Sequence, residues 1–177
     1  MSADVSGPSI ASGGSFEFQV KRMKSTEAGI LFPILAFTAD NHLWPIDKLD
    51  ILTACGPRTL KDGMQLGMEI VDSDWRCWRV KSVHKIGRDT GFLRWLLSAL
   101  MTATPAYRIE QELEPLQPMS VEQMRRRVCA ALEEHSEDYC GYDGDEADFR
   151  RLLADIRKAA SVSDVFKAVG PDDFRGY

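Results

Sequence analysis

Residues 67–101 read GMEIVDSDWRCWRVKSVHKIGRDTGFLRWLLSALM, and this stretch decides the fold class. It holds three of the four tryptophans and six of the 22 lysines and arginines. Its first part, 68–71, is apolar apart from Glu69, and Asp72-Ser73-Asp74 then supplies short side chains that bond nearby backbone in turns. In 75–81, Trp78 and Val80 alternate with Arg79 and Lys81, the period-two pattern of a half-buried strand. The alternation slips near Ser82, because Val83 and Ile86 do not share a parity, which predicts a bulge or a bend. Residues 67–84 are therefore expected to form a β-hairpin. Beyond it, 92–101 (FLRWLLSALM) is apolar nearly all round, as in a helix covered on several sides. A membrane-surface helix needs a basic face, which Arg94 alone does not make.

Working outward, 16–21 alternates with Phe16, Phe18 and Val20 on one face, an amphipathic strand. The continuous run 30–37 (ILFPILAF) suits a strand buried on both faces, with Pro33 implying an edge or a bulge. Ala39-Asp40-Asn41 is a turn and 42–45 the return strand, a second hairpin over 30–44. Leu49, Ile51, Leu52 and Ala54 suggest a short helix over 47–55, stopped by Gly56-Pro57. In 106–113, Tyr107, Ile109 and Leu113 oppose Arg108, Glu110, Glu112 and Glu114, which reads as an edge strand guarded by charge and ended by Pro115 and Pro118. Ser120 to Gln123 forms a capping box ahead of a helix with Val121, Met124, Val128 and Leu132 as its stripe. Another helix starts near Asp145 and presents Phe149, Leu152, Leu153 and Ile156; Ser163 caps a last one through Val165, Phe166 and Val169, stopped by Gly170-Pro171.

These elements predict an α+β fold. Its antiparallel, curled sheet, in one form a small SH3-like barrel, carries the central apolar helix over 91–102 and is followed by a helical C-terminal part. The expected organisation is a disordered tail over 1–14, a β-rich core over 15–118, and a helical part over 119–177 packed on the same domain. With 177 residues, 44% of them hydrophobic, the chain is long enough for one such core. No run approaches the roughly 20 apolar residues of a membrane span, and residues 1–15 lack the basic and apolar regions of a signal peptide. Cys55, Cys77, Cys129 and Cys140 form no C-x-x-C pair and fit a reducing, cytoplasmic setting.

Charge separates the candidate functions. Residues 1–100 carry 12 basic and 11 acidic side chains, and residues 101–177 carry 10 and 16, so the net charge of −5 belongs to the C-terminal half. The leading expectation is a non-enzymatic protein-binding or inhibitor protein. Its acidic surface, Glu133, Glu134, Glu137, Asp138, Asp143 and Asp145, would meet a basic protein partner, since complementary charge speeds encounter and selects partners. The build, small, acidic, α+β and without catalytic motifs, is similar in type to many bacterial immunity proteins, a likeness with no shared motif behind it. The alternative is an anion or nucleic-acid face on the hairpin 75–85, with Arg76, Arg79, Lys81 and Lys85 and Arg88 just beyond. Lysine and arginine stems lying over a solvated sheet explain the same residues, and the acidic net charge disfavours nucleic acid.

Metal and catalytic motifs are missing. Asp143 to Asp148 fails the EF-hand spacing and suits a helix start, so no metal is expected there. His42, His84 and His135 form no H-x-x-x-H or H-E-x-x-H, and there is no G-x-G-x-x-G, P-loop or G-x-S-x-G. Arg125, Arg126 and Arg127 fan out by about 100° each and do not converge on one anion. Neither enzyme nor cofactor is expected. A cleft gathering His42, Cys55 and a carboxylate would favour an enzyme with an unrecognised site.

Overall fold

In the computed structural model, which describes residues 22–88, 106–140 and 146–169, seven strands pair into one antiparallel sheet. They are β1 Met23–Lys24, β2 Ile34–Phe37, β3 Leu43–Ile46, β4 Ala54–Cys55, β5 Glu69–Asp72, β6 Cys77–Arg88 and β7 Tyr107–Leu116. Their order across the sheet is β1-β7-β6-β5-β2-β3, with β4 also pairing β7. The helices are α1 Leu49–Leu52, α2 Pro57–Lys61, α3 Val121–Glu134, α4 Ser136–Cys140, α5 Glu146–Lys158 and α6 Val162–Ala168. The fold is α+β, and the sheet is curled and open, not closed into an SH3-like barrel. The expected strand over 16–21, the helix over 91–102 and the stop at Gly170-Pro171 lie outside the described residues.

The hairpin β5–β6 forms where its alternation places it. Asp72 N–H donates to Arg76 O at 3.0 Å and Trp75 N–H to Asp72 O at 2.9 Å, closing the turn. The slip near Ser82 is a register shift between Val80 and Ser82 against β7. At the other end Gly67 takes φ 79°, a conformation open to glycine, and donates to Val80 O at 2.9 Å.

Every residue of β2 is buried, because the sheet is covered on both faces. Leu35 and Phe37 join Leu43, Val71 and Cys77 in a core with Met124, Val128 and Leu132 of α3, Ile156 of α5 and Val165 of α6. Ile34 and Ala36 point the opposite way, into a core with Leu52, Met68, Ile70, Trp78, Val80 and Leu113. Residues beyond 119 thus share a core with the sheet.

Several local expectations are corrected. Pro33 precedes β2 and removes no ladder donor, so the strand needs neither an edge nor a bulge on its account. Pro45 does lie inside a strand, and the edge position of β3 tolerates it. The helix expected over 47–55 stops after Leu52, and Ala54–Cys55 leave it to pair with Arg108 and Tyr107 of β7. Gly56-Pro57 opens a helix instead of stopping one: Gly56 is the N-cap of α2 and Pro57 its first residue, where a missing N–H costs nothing. β7 is an interior strand, held by β6 on one side and by β1 and β4 on the other, and it runs past Pro115 to Leu116. Its outward charges answer partners: Glu110 meets Lys24 at 2.9 Å and Glu114 meets Lys81 at 3.2 Å. The cap of α6 is Ser161, which forms a capping box with Asp164, and not Ser163.

A charged link ties α3 to the sheet. Glu69 on β5 accepts from Arg79 Nη2 at 2.7 Å and from Arg127 Nη1 of α3, whose guanidinium carbon lies 4.5 Å from the Phe37 ring centroid. Burial pushes the Glu69 carboxyl up, but Arg79 and Arg127 together outweigh it and hold it below its usual value. A folded-state value below the unfolded one adds stability above the unfolded value, and this is lost as pH falls through the folded one. Chemical denaturation of Glu69→Gln beside the wild type is therefore expected to show a deficit of about 1–2 kcal/mol near neutral pH. That gap should close as pH falls from about 5 towards 3. A deficit that stayed constant with pH would mean that the pairing of charge at Glu69 contributes nothing.

Candidate functional site

The turn between β2 and β3 leans against the junction of α3 and α4, and the contact is polar. Thr38 Oγ1 donates to Asp40 Oδ1 at 2.6 Å and accepts from His42 N–H at 2.8 Å, which shapes the turn, while Asn41 adopts φ 63°. Asn41 Nδ2 donates to Glu134 Oε2 at 2.8 Å. His135, the C-cap of α3, stacks its ring on His42 with centroids 3.5 Å apart and planes at 22°. Its Nε2 lies 2.9 Å from Asp40 O. His42 sits between two carboxylates, Nδ1 3.1 Å from Asp40 Oδ2 and Nε2 3.3 Å from Asp138 Oδ2. Asp40 is held below its usual value chiefly by the Thr38 hydroxyl, which with the smaller help of the backbone and His42 outweighs the opposing effect of burial. Tyr139 Oη accepts from Leu43 N–H at 3.2 Å and donates to Leu43 O at 3.1 Å, so one hydroxyl satisfies both groups of this outer strand residue.

Beside this contact a cleft of about 600 Å³ opens between β3, the α1–α2 segment and α4. Its walls are mainly apolar, with Trp44, Ile46, Ile51 and Ala54, and its polar end holds His42, Asp138 and Tyr139. Gln65 also lines it; Gln65 Oε1 accepts from the buried Gln111 Nε2 at 3.1 Å, which leaves the Gln65 amide N–H2 as a donor at this place. Gln111 Nε2 also donates to Leu52 O at 2.8 Å, and its Oε1 has no partner among the described residues.

Cys55 lines the same cleft, so His42, a cysteine and a carboxylate are gathered as a nucleophilic site would require. The chemistry of the thiol runs the other way. Burial raises the Cys55 thiol, an effect that Lys85 only partly offsets, and both His42 nitrogens face carboxylates. A nucleophilic cysteine needs a lowered value and a base turned towards it. Cys77 and Cys129 are buried free thiols, likewise raised by burial.

The acidic residues selected from the sequence are largely engaged within the chain. Glu133 pairs with Arg157 and Glu134 with Asn41, Asp138 meets His42, and Glu137 is exposed. Asp143 and Asp145 lie outside the described residues. The basic face is engaged too. Arg76 binds Asp72, Arg79 binds Glu69, Lys81 meets Glu114, and Lys85 Nζ sits 3.5 Å from the Tyr107 ring centroid. Arg88 ends β6. Trp78 is 3% exposed and unavailable for stacking on a base, whereas Trp75, at φ 67° in the β5–β6 turn, is 45% exposed. Of the three arginines only Arg127 goes its own way, to Glu69; Arg125 and Arg126 both bind the Glu122 carboxylate, three and four residues back on the same helix, so the expectation that neighbouring arginines would not meet on one anion is corrected for this pair, and Arg125 also reaches Arg157 O and Ala159 O.

No helix among the described residues is long and apolar enough to cross a membrane. No protein-family model matches the chain, and no curated protein or solved structure is significantly similar to it.

Proposed function

We propose that this chain is a non-enzymatic binding protein, and that it binds a small, largely apolar molecule with one hydrogen-bonding head in the cleft between β3, α1–α2 and α4. The observation that carries this reading is the cleft itself: about 600 Å³, mainly apolar walls, and a few polar groups, His42, Asp138 and Tyr139 at one end with Gln65 and Thr59 besides. Small-molecule sites have this size and this division between wall and head. Turnover is not part of the proposal, because the Cys55 thiol in the cleft is raised by burial and His42 is turned to carboxylates, not to a nucleophile. The immunity-type reading, with a basic protein on residues 133–148, rests on charge, and Glu133 already pairs its own with Arg157.

Thr59 on α2 lines the cleft and is half-buried. A library of small aromatic and aliphatic amides, acids and amines, screened by ligand-observed NMR, is expected to yield binders to the wild type. The same compounds should bind more weakly to Thr59→Trp, whose indole takes up part of the cleft, while its circular dichroism stays unchanged. A wild type that binds none of them, or compounds that bind both proteins equally, would end the proposal.

A further inference from the structure

His42, which lines the cleft and stacks on His135, has a donor–acceptor imbalance. Both neighbours of His42, Asp40 Oδ2 at 3.1 Å and Asp138 Oδ2 at 3.3 Å, are acceptors only. An imidazole with one proton serves one of them. The other nitrogen then turns its lone pair on a carboxylate oxygen, and only a second positive centre, a proton or a metal ion, makes that contact favourable. His135 removes part of the choice. Its Nε2 lies 2.9 Å from a backbone carbonyl, which accepts and never donates, so Nε2 carries the proton and Nδ1 keeps the lone pair. Asp40 thus takes hold of both rings, His42 through its carboxylate and His135 through its carbonyl. Histidines that bind metals are oriented in this way, with the non-ligating N–H given to a carboxylate or a carbonyl.

We propose that His42, His135 and Asp138 form a binding site for a zinc-class divalent ion. One nitrogen from each ring and one oxygen of Asp138 lie within 4.8 Å of one another. The 3.3 Å between His42 Nε2 and Asp138 Oδ2 is already the edge of a tetrahedron with bonds of about 2.0–2.1 Å. Two imidazoles and a carboxylate select a borderline ion such as zinc over calcium or magnesium, which take oxygen ligands. His135 and Asp138 stand three residues apart across the α3–α4 junction, where Asp138 N–H donates to His135 O at 3.0 Å. His42 is brought to them from the β2–β3 turn. Its side chain is 32% exposed, so an ion has access from solvent. Binding opens the ring stack, since both lone pairs must converge on one point. Three protein ligands leave a fourth position, and His42 and Asp138 also line the cleft, so the ion is reachable by whatever enters it. The site does not require the cleft to hold an organic ligand, and its test is separate.

The test is titration of chelator-stripped protein with Zn2+ by calorimetry, and with Co2+ by visible absorption. A saturable site for one ion is expected, with a Co2+ spectrum of low-coordinate nitrogen and oxygen ligation and no thiolate charge-transfer band. His42→Ala and His135→Ala should each weaken Zn2+ by at least about 100-fold, and Asp40→Asn, which touches only the orienting residue, by about 10- to 100-fold. Cys55→Ser and His84→Ala should leave affinity unchanged. If His135→Ala does not fold by circular dichroism, the wild-type titration and Asp40→Asn still decide. No saturable Zn2+ binding to the wild type, or binding that survives in His42→Ala and Asp40→Asn, overturns the site.

Discussion

Replacing Asp72 by alanine is expected to cost about 3 kcal/mol, a fall in Tm of roughly 10 °C for a chain of this size. Asp72 is fully buried at the end of β5. Its Oδ1 accepts from Asp74 N–H at 3.0 Å and Arg76 N–H at 2.9 Å, and its Oδ2 from Leu31 N–H at 3.2 Å, Arg76 Nε at 3.0 Å and Arg76 Nη2 at 2.7 Å. Five donors converge on two oxygens, so one carboxylate shapes the β5–β6 turn and pins the 29–31 loop to it. The diagnostic variant is Asp72→Asn. Asparagine keeps the shape, yet whichever side its NH2 takes, it faces at least two donors, so its cost should approach that of alanine. Arg76→Ala should cost only about 1 kcal/mol, since Arg76 is 41% exposed and water replaces part of what it loses. Urea denaturation of the three variants checks the order. A mild Asp72→Asn would show that the side chain fills space and little more.

Phe37→Ala is the second large effect, about 3–5 kcal/mol. Phe37 is fully buried on β2, where the sheet meets α3, α5 and α6. Its removal leaves a cavity under three helices that the paired strand cannot collapse to fill. It also takes away the ring beneath Arg127, and with it part of the positioning of the Arg127–Glu69 pair. The two losses share a partner, so Phe37→Ala and Glu69→Gln should not add: the double variant should cost less than the sum by about 0.5 kcal/mol or more. Phe37→Leu, which keeps most of the volume, should cost about 1–2 kcal/mol. Strict additivity in the double-mutant cycle would separate the core from the ion pair.

Elements legible in the sequence are those whose cause is local. The β5–β6 hairpin, the bulge after Val80 and the Ser120–Gln123 capping box each depend on residues a few positions apart. Gly56-Pro57 misled because the same pair ends one helix or begins another, depending on which side carries the backbone bonds; here Leu60 N–H donates to Gly56 O at 3.1 Å. Ser163 was the wrong cap although the signal was present, since Ser161 has an acid three residues on and Ser163 has Phe166. The charges of β7 looked like an exposed edge because their partners, Lys24 and Lys81, sit on other strands. The candidate site was hidden for the same reason. His42 and His135 are 93 positions apart and meet only after the β2–β3 turn settles on the end of α3. The useful trace was Asp40 two residues before His42 and Asp138 three after His135, each histidine travelling with its own carboxylate.

The placement of β7 has a consequence for how the chain reaches its native state. Three strands made earlier depend on it: Met23 pairs with Leu113, Ala54 with Arg108, and nearly all of β6 with the length of β7. Chain growth from the N-terminus therefore produces β1, β4 and the outer side of β6 well before their ladder partner exists. The hairpins β2–β3 and β5–β6 close over short loops, whereas the pairing of Met23 with Leu113 spans the greatest separation in the sheet. Such a topology folds on the slow side, with unpaired strand edges exposed in the meantime. In a nascent chain, residues 107–116 are the point at which the waiting β1 and β4 join the sheet that β3, β2, β5 and β6 make among themselves.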